Sequence, residues 1–128
     1  TSRLVGSEMC IRDRYLRMHG KEVYRHAIEK LATTAQDSMK SAGISVEEID
    51  WIVPHQANIR IIHGTAKKMG ITSDRVLTTV QDHGNTSAAS IPLALSVSKI
   101  NGHIKKNDLI VIEAIGGGLA WGSLVIRW

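Results

Sequence analysis

Apolar residues recur at three- and four-residue steps along Lys21–Ala42, and polar residues fill the positions between them. This period predicts an amphipathic helix with one buried stripe. The stripe consists of Val23, Ala27, Ile28, Leu31, Ala35 and Met39. Gly43 follows the last turn and can adopt the left-handed conformation that ends many helices. The next residues, Ser45–Glu48, have the composition of a capped turn.

Shorter apolar runs follow this helix and are separated by helix signals. Ile49–Val53 predicts a strand that Pro54 closes, because proline cannot donate to the hydrogen-bond ladder of a sheet. Asn58 is a good helix cap, and the helix that it opens is expected to end at Gly70. The β-branched run Arg75–Val80 predicts a second strand.

The last part of the chain predicts one more helix and two more strands. Thr86 or Ser87 is expected to open a helix that runs to about Asn101. Leu109–Ile115 and Ser123–Trp128 are apolar β-type runs, and the short connection between them predicts antiparallel pairing at one edge of the sheet. The alternation of helices and strands indicates a layered α/β domain with a mixed, mostly parallel sheet.

Composition is consistent with one globular domain and excludes several other classes of protein. The chain has 128 residues, a net charge of +4 and 22% charged residues. Lysines and arginines alternate with carboxylates, which is typical of solvated helix faces and not of a nucleic-acid-binding surface. No apolar run has the length of about 20 residues that a membrane span needs. We expect a soluble, cytoplasmic domain with neither nucleic acid nor membrane as a partner.

The first 14 residues show neither helical nor strand periodicity. We expect residues 1–14 to be a foreign or disordered stretch, and residues 15–128 to form the domain. Cys10, the only cysteine, lies in this stretch. A single cysteine excludes an internal disulfide framework and zinc-finger spacing.

Three polar features lie directly after predicted strands, where α/β folds place their active sites. They are Pro54–Asn58 with His55, His83–Ser87 with Asn85, and the backbone of Gly116–Gly118. If the strands are neighbours, an imidazole, a carboxamide and glycine amides converge on one place. All three groups can donate hydrogen bonds, so they suit a developing oxyanion or enolate.

Each feature also has a purely structural interpretation. A single turn histidine or asparagine is often structural, and a triple glycine is often a tight connection between strands. No Ser or Cys on these turns has the surroundings of an activated nucleophile. His55, His63 and His83 do not have the spacing of metal ligands, and we expect no metal site.

Taken together, three motifs in this order resemble those of the β-ketoacyl-acyl-carrier-protein synthase III family. The motifs are Trp51–Ile62, His83–Ser90 followed by Pro92, and Glu113–Ser123 followed by Arg127. The similarity extends from about Tyr15 to Trp128. It implies the C-terminal half of a thiolase-like layered fold, with a buried helix and flanking helices, from an enzyme that is a homodimer.

The resemblance also implies an activity. Members of the family are acyltransferases that condense an acyl-CoA primer with malonyl-acyl carrier protein to initiate fatty-acid synthesis, without a cofactor. A cysteine in the N-terminal half takes the acyl group. A histidine and an asparagine, here His55 and Asn85, promote decarboxylation and stabilise the enolate.

Further site residues follow from the resemblance alone. The Gly117 amide matches a position that binds the tetrahedral oxyanion. Positions along the pantetheine tunnel are matched by Met18, Gly20, Tyr24, Ala57 and Asn58. Arg60 matches a basic residue near the docking surface for the carrier protein, and Lys67 and Lys68 extend this basic patch toward an acidic partner.

Two departures from the family pattern matter. Ile115 replaces a frequent aromatic residue before the glycines, which leaves the primer preference open. The neighbours of Cys10 do not match the family's nucleophile motif, so we expect this chain to be inactive alone. Two alternatives remain: a thiolase-fold condensing enzyme of secondary metabolism that uses CoA substrates, and a non-catalytic basic module that binds nucleic acid or protein.

Overall fold

The computed structural model describes residues 18–128. Cys10 and the predicted foreign stretch 1–14 therefore lie outside the described residues. Helix α1 spans Gly20–Ala42, as the apolar period predicts. Its buried residues are Ala27, Leu31, Ala32, Ala35 and Met39. Gly43 ends α1 in the left-handed conformation, with φ of 67°, and its N–H bonds to the last turn of the helix.

The next elements follow the predicted signals closely. A 3₁₀ turn at Val46–Glu48 is capped through a hydrogen bond of 2.8 Å from the Ser45 N–H to the Glu48 carboxylate. Strand β1 spans Trp51–Pro54. Helix α2 spans Ile59–Met69, begins after the Asn58 cap and ends at Gly70.

The prediction of a strand at Arg75–Val80 was wrong. A 3₁₀ turn covers Ser73–Arg75, Val76 forms a single parallel bridge with Ile52, and Val80–His83 is a short helix, α3. A side chain from another part of the chain hydrogen-bonds this segment in place of further strand pairing. The Gln56 carboxamide binds the backbone groups of residues 77–80 that a neighbouring strand would otherwise pair with.

The last helix and two strands agree with the predicted elements, with shifted ends. Helix α4 spans Ser90–Ile100 and follows a 3₁₀ turn at Ser87–Ala89, so the α-helix proper begins later than predicted. Strand β2 spans Leu109–Gly116 and strand β3 spans Ala120–Arg127.

The strands form a mixed sheet in the order β1-β2-β3. Strand β1 pairs with β2 in parallel, from Trp51 with Ile110 to Pro54 with Glu113. Strand β2 pairs with β3 in antiparallel fashion up to the pair of Gly116 and Ala120. The predicted antiparallel pairing at the edge is therefore confirmed.

Each face of the sheet buries a separate apolar cluster, which makes the domain layered. Ile52 and Val111 pack on one face with α1 and α2. Val53 and Ile110 pack on the other face with Ala94 of α4. This alternation follows from the two-residue period of side chains along a strand. None of the helices within residues 18–128 has the length and apolar character that a membrane crossing requires.

Candidate active site

The three polar features predicted to converge line one pocket. The pocket has a volume of about 890 Å³, and His55, Asn85, Gly116 and Gly117 all contribute to its wall. It lies where β1 and β2 end, which is the edge that the topology predicts. Most of the other lining residues are apolar, among them Val23, Ala27, Ile61 and Ile91. A few polar groups in an apolar wall are typical of a small-molecule site.

His55 is held on two sides by other elements. Its backbone N–H donates to the carbonyl of Glu113 on β2 at 2.7 Å. Its Nδ1 lies 2.7 Å from the Ser90 hydroxyl at the start of α4. Partial burial lowers the pKa of His55, because desolvation disfavours the charged ring. The imidazole is thus favoured in its neutral form, with Nε2 as the ring nitrogen available to a ligand.

Gln56, the residue after His55, joins the His55 turn to the segment that leads toward Asn85. It is 1% exposed. Its Nε2 donates to the Pro54 carbonyl at 2.8 Å and to the Leu77 carbonyl at 3.1 Å. Its Oε1 accepts from the N–H groups of Thr79 at 2.8 Å and Val80 at 3.1 Å. This contribution was not predicted, since a single glutamine in a turn carries no signal of burial.

Asn85 lies on an exposed turn, and its own turn orients its side chain. Its Oδ1 accepts the Ser87 N–H at 2.9 Å. Because the oxygen is used locally, the amide NH₂ is the group left to donate to a ligand. Ser87 has a φ of 54°, which places it in the left-handed region, where few non-glycine residues lie. Gly84, the residue before Asn85, also has a positive φ, of 65°.

The glycine segment forms the connection between β2 and β3. Gly116 is still paired with Ala120, and Gly117 lines the pocket with an exposed backbone. Gly118 has a φ of 138°, and a Cβ there would lie 3.1 Å from the Ala120 nitrogen. The positive φ favours glycine at this position, and the close Ala120 nitrogen adds to that preference.

The structure separates the five predicted tunnel residues into two groups. Met18 and Ala57 line the pocket with His55. Gly20 begins α1, Tyr24 is 40% exposed on that helix, and Asn58 caps α2 with a hydrogen bond of 2.8 Å from the Arg60 N–H. Ile115, the departure from the family pattern, also lines the pocket.

The predicted basic patch lies on the surface of α2. Arg60, Lys67 and Lys68 are all exposed. Arg60 and Lys67 are seven residues apart, so they share one face of the helix at a separation of about 10 Å along its axis. Lys68 follows Lys67 directly, so it is rotated from that face by about 100° around the helix axis.

A buried carboxyl group, not anticipated as such from the sequence, lies under the site. Glu113 is 1% exposed, and burial raises its pKa to about 7. Its Oε2 has no hydrogen-bond partner among residues 18–128. This burial was not predicted, because a glutamate is rarely fully buried even in an apolar strand. Within the same residues, no cluster of three acidic, histidine or cysteine side chains could hold a metal ion.

Comparison with known proteins gives a consistent result. Residues 39–128 match the sequence model of the family described as 3-oxoacyl-[acyl-carrier-protein (ACP)] synthase III C terminal. The β-ketoacyl-[acyl-carrier-protein] synthase III of Ruegeria sp. is 70% identical over 114 residues, and that of Roseobacter denitrificans is 68% identical. In each case the match covers 89% of this chain and 35% of the relative. The chain thus spans about a third of the length of these curated relatives.

Solved structures show the same similarity in three dimensions. The 3-oxoacyl-[acyl-carrier-protein] synthase III of Aquifex aeolicus superposes with a TM-score of 0.87 at 41% identity. The superposition covers 89% of this chain and 37% of that one. The expectation of a thiolase-like, layered α/β fold is thereby confirmed.

Proposed function

Because this chain belongs to the 3-oxoacyl-[acyl-carrier-protein] synthase III family, as its C-terminal part, we propose that residues 15–128 supply the decarboxylating side of that enzyme's active site. One observation carries the proposal. His55, Asn85 and the backbone of Gly117 line one pocket. His55 Nδ1 and Asn85 Oδ1 are both occupied by neighbouring groups, which leaves Nε2 and the amide NH₂ for a substrate.

The proposed reaction uses these two donors at the thioester oxygen of malonyl-acyl carrier protein. Loss of CO₂ leaves its bonding electron pair on the substrate as an enolate, with the negative charge on that oxygen. Hydrogen bonds from His55 Nε2 and the Asn85 amide stabilise this charge without giving up a proton. A charged imidazolium would protonate the enolate and quench it, so a lowered His55 pKa supports this role.

The carbon–carbon bond then forms with an acyl group from an acyl-CoA primer. In this proposal a cysteine in the N-terminal part of the enzyme carries the acyl group. The enolate carbon attacks the acyl carbonyl, and the cysteine thiolate leaves. The Gly117 N–H stabilises the tetrahedral oxyanion that forms between these two steps. No cofactor takes part.

The remaining predicted residues bind the substrates in this proposal. Met18 and Ala57 line the path of the pantetheine arm, with Gly20, Tyr24 and Asn58 further along it. The exposed patch of Arg60, Lys67 and Lys68 on α2 docks the acidic carrier protein. The enzyme is proposed to be a cytoplasmic homodimer that initiates fatty-acid synthesis.

The test uses a completed enzyme, in which residues 15–128 replace the matching C-terminal part of the Ruegeria sp. relative. His55→Ala and Asn85→Ala should each lower the rate of CO₂ release from malonyl-acyl carrier protein by about 100-fold or more, the usual effect of removing one donor to an oxyanion. Acyl transfer from acyl-CoA to the cysteine should persist in both variants, because that step needs neither donor to the enolate.

Matched controls come from the same chain. His103→Ala and Asn101→Ala remove an exposed histidine and an exposed asparagine away from the pocket, and they should release CO₂ at the rate of the parent. Parental rates in the His55 and Asn85 variants would contradict the proposal.

The same assay with malonyl-CoA as extender tests the alternative function. A CoA-dependent enzyme of secondary metabolism would prefer malonyl-CoA to the carrier-bound substrate.

A further inference from the structure

Ser90 is a buried hydroxyl at the start of α4 that contacts the His55 turn. It is 1% exposed. Its Oγ lies 2.7 Å from His55 Nδ1 and 3.1 Å from the backbone nitrogen of Gln56. The sequence presents this serine only as one of several small residues in the helix after Asn85. Its contacts give it a different role.

The hydrogen bonds of this hydroxyl determine which nitrogen of His55 carries the proton. A serine hydroxyl donates one hydrogen bond and can accept two. The Gln56 N–H can only donate, so Ser90 Oγ accepts from it. In the described part of the chain the other polar neighbour of Oγ is His55 Nδ1, and a buried hydroxyl hydrogen needs an acceptor. The hydroxyl therefore donates to Nδ1, and the proton of the neutral ring is on Nε2.

We propose that Ser90 is a positioning residue that holds His55 as its Nε2–H tautomer, with this N–H directed into the pocket. The bond from Ser90 to Nδ1 acts together with the Glu113 carbonyl, which fixes the backbone of His55 from the opposite strand. The ring is therefore constrained both in tautomer and in orientation. The benefit to catalysis rests on the proposed function, whereas the tautomer itself does not.

The choice of tautomer has a direct chemical consequence. A ring protonated on Nδ1 would present a lone pair at Nε2, and this would repel the developing negative oxygen of the thioester. A ring protonated on Nε2 presents a donor to the same oxygen. Lowering of the His55 pKa by burial supports this arrangement, because only a neutral ring has two tautomers to choose between.

The experiment combines histidine ¹⁵N NMR with kinetics of the completed enzyme. In the parent, His55 should show a protonated Nε2 and an unprotonated, hydrogen-bonded Nδ1. In Ser90→Ala the single tautomer should be lost, and kcat for decarboxylation should fall by about 10- to 100-fold, as when a residue that orients a metal-ligating histidine is removed. KM for malonyl-acyl carrier protein should stay near the parental value, since Ser90 contacts His55 and not the substrate.

Two further variants separate positioning from packing. Ser90→Thr keeps the hydroxyl and should keep the Nε2–H tautomer and most of kcat. Ser98→Ala removes another buried hydroxyl from the same helix, where Ser98 is 3% exposed, and should change neither the tautomer nor kcat. If Ser98→Ala changed both to the extent that Ser90→Ala does, the effect would be one of packing and the proposal would fail.

Two further results would overturn the assignment: an Nδ1–H tautomer in the parent, or an unchanged tautomer in Ser90→Ala. A parental rate in His55→Ala would instead contradict the proposed function. The NMR measurement on the parent needs neither a variant nor turnover, so the two failures can be told apart.

Discussion

The two turns that carry the proposed donors are held in different ways. His55 is fixed by tertiary contacts, with its backbone bonded to β2 and its ring bonded to α4. Asn85 is exposed, and the hydrogen bond of its side chain is made to Ser87 within the same turn. One donor is therefore oriented by the fold and the other by the local chain.

The two turns are not independent, because the side chain of Gln56 hydrogen-bonds the segment before the Asn85 turn and so connects it to the end of β1. It contacts Leu77, Thr79 and Val80, a few residues upstream of Asn85. The Asn85 turn thus depends on one buried side chain from the other turn. The segment before Asn85 is therefore linked to the end of β1, while the Asn85 side chain itself is oriented by Ser87.

The largest effect on stability is expected from breaking this connection. Gln56→Ala leaves two buried N–H groups and two carbonyl groups without their partners. We expect a loss of about 4 kcal/mol in stability, since each unsatisfied buried group costs about 1–3 kcal/mol. Thermal unfolding of the completed enzyme measures the loss. Hydrogen exchange should rise more in residues 77–87 than in residues 51–54.

A matched control lies in the same segment. Gln81 is exposed and donates one hydrogen bond of 3.1 Å to the Thr78 carbonyl. Gln81→Ala should change stability by no more than about 0.5 kcal/mol, as for most surface substitutions. Equal melting temperatures for Gln56→Ala and the parent would show that the two turns are not coupled through this side chain.

The turns also differ in the acidic group beside them, and this predicts a pH dependence. Glu113 is buried next to the His55 turn, whereas Asp82 beside the Asn85 turn is exposed. Burial raises the pKa of Glu113 from 4.5 to about 7. As the pH rises between these values, the folded state keeps a proton that the unfolded state has released. Stability therefore falls over this range and stays reduced above it.

Glu113→Gln should remove this pH dependence. The displacement from 4.5 to about 7 corresponds to about 3 kcal/mol. Above pH 7 the variant should therefore melt at a higher temperature than the parent, and the advantage should disappear below pH 4.5. Asp82→Asn is the control for loss of one negative charge near the site. A stability profile of Glu113→Gln that runs parallel to that of the parent would contradict a buried, neutral carboxyl group.

How far the sequence predicts this structure depends on how local each signal is. The end of α1 at Gly43 and the start of α2 at Asn58 were predicted correctly, because caps act within a few residues. The strand expected at Arg75–Val80 does not form, and the side chain of Gln56, about 20 residues upstream, hydrogen-bonds the backbone of that segment instead. Local β-propensity cannot account for a side chain that satisfies the backbone from a distance.

The candidate site shows the same division. That His55 and Gly117 line one pocket was predictable from topology, since they follow β1 and β2 at the same edge of the sheet. Asn85 lines the same pocket, although the strand expected before it is a short helix. The contacts of Ser90 and the burial of Glu113 were not predictable. The first depends on which face of α4 lies against the His55 turn, and the second on which face of β2 lies against the core. Composition and spacing carry no such information for a single serine or glutamate.

The smallest expected effect on stability comes from one of two asparagines that make the same local hydrogen bond. Asn58 Oδ1 accepts the Arg60 N–H at 2.8 Å, and Asn85 Oδ1 accepts the Ser87 N–H at 2.9 Å. At Asn58 this bond caps α2, so Asn58→Ala should cost about 1 kcal/mol in thermal or denaturant unfolding of the completed enzyme. Asn58→Asp should retain the stability, because only the acceptor oxygen is needed.

Asn85→Asp should likewise keep its turn, because the acceptor oxygen remains. It loses the amide donor, however, so its rate of decarboxylation should fall as in Asn85→Ala. If Asn58→Asp were as unstable as Asn58→Ala, the helix cap would depend on more than the acceptor oxygen. If Asn85→Asp were fully active, the amide NH₂ of Asn85 would not be the donor to the substrate.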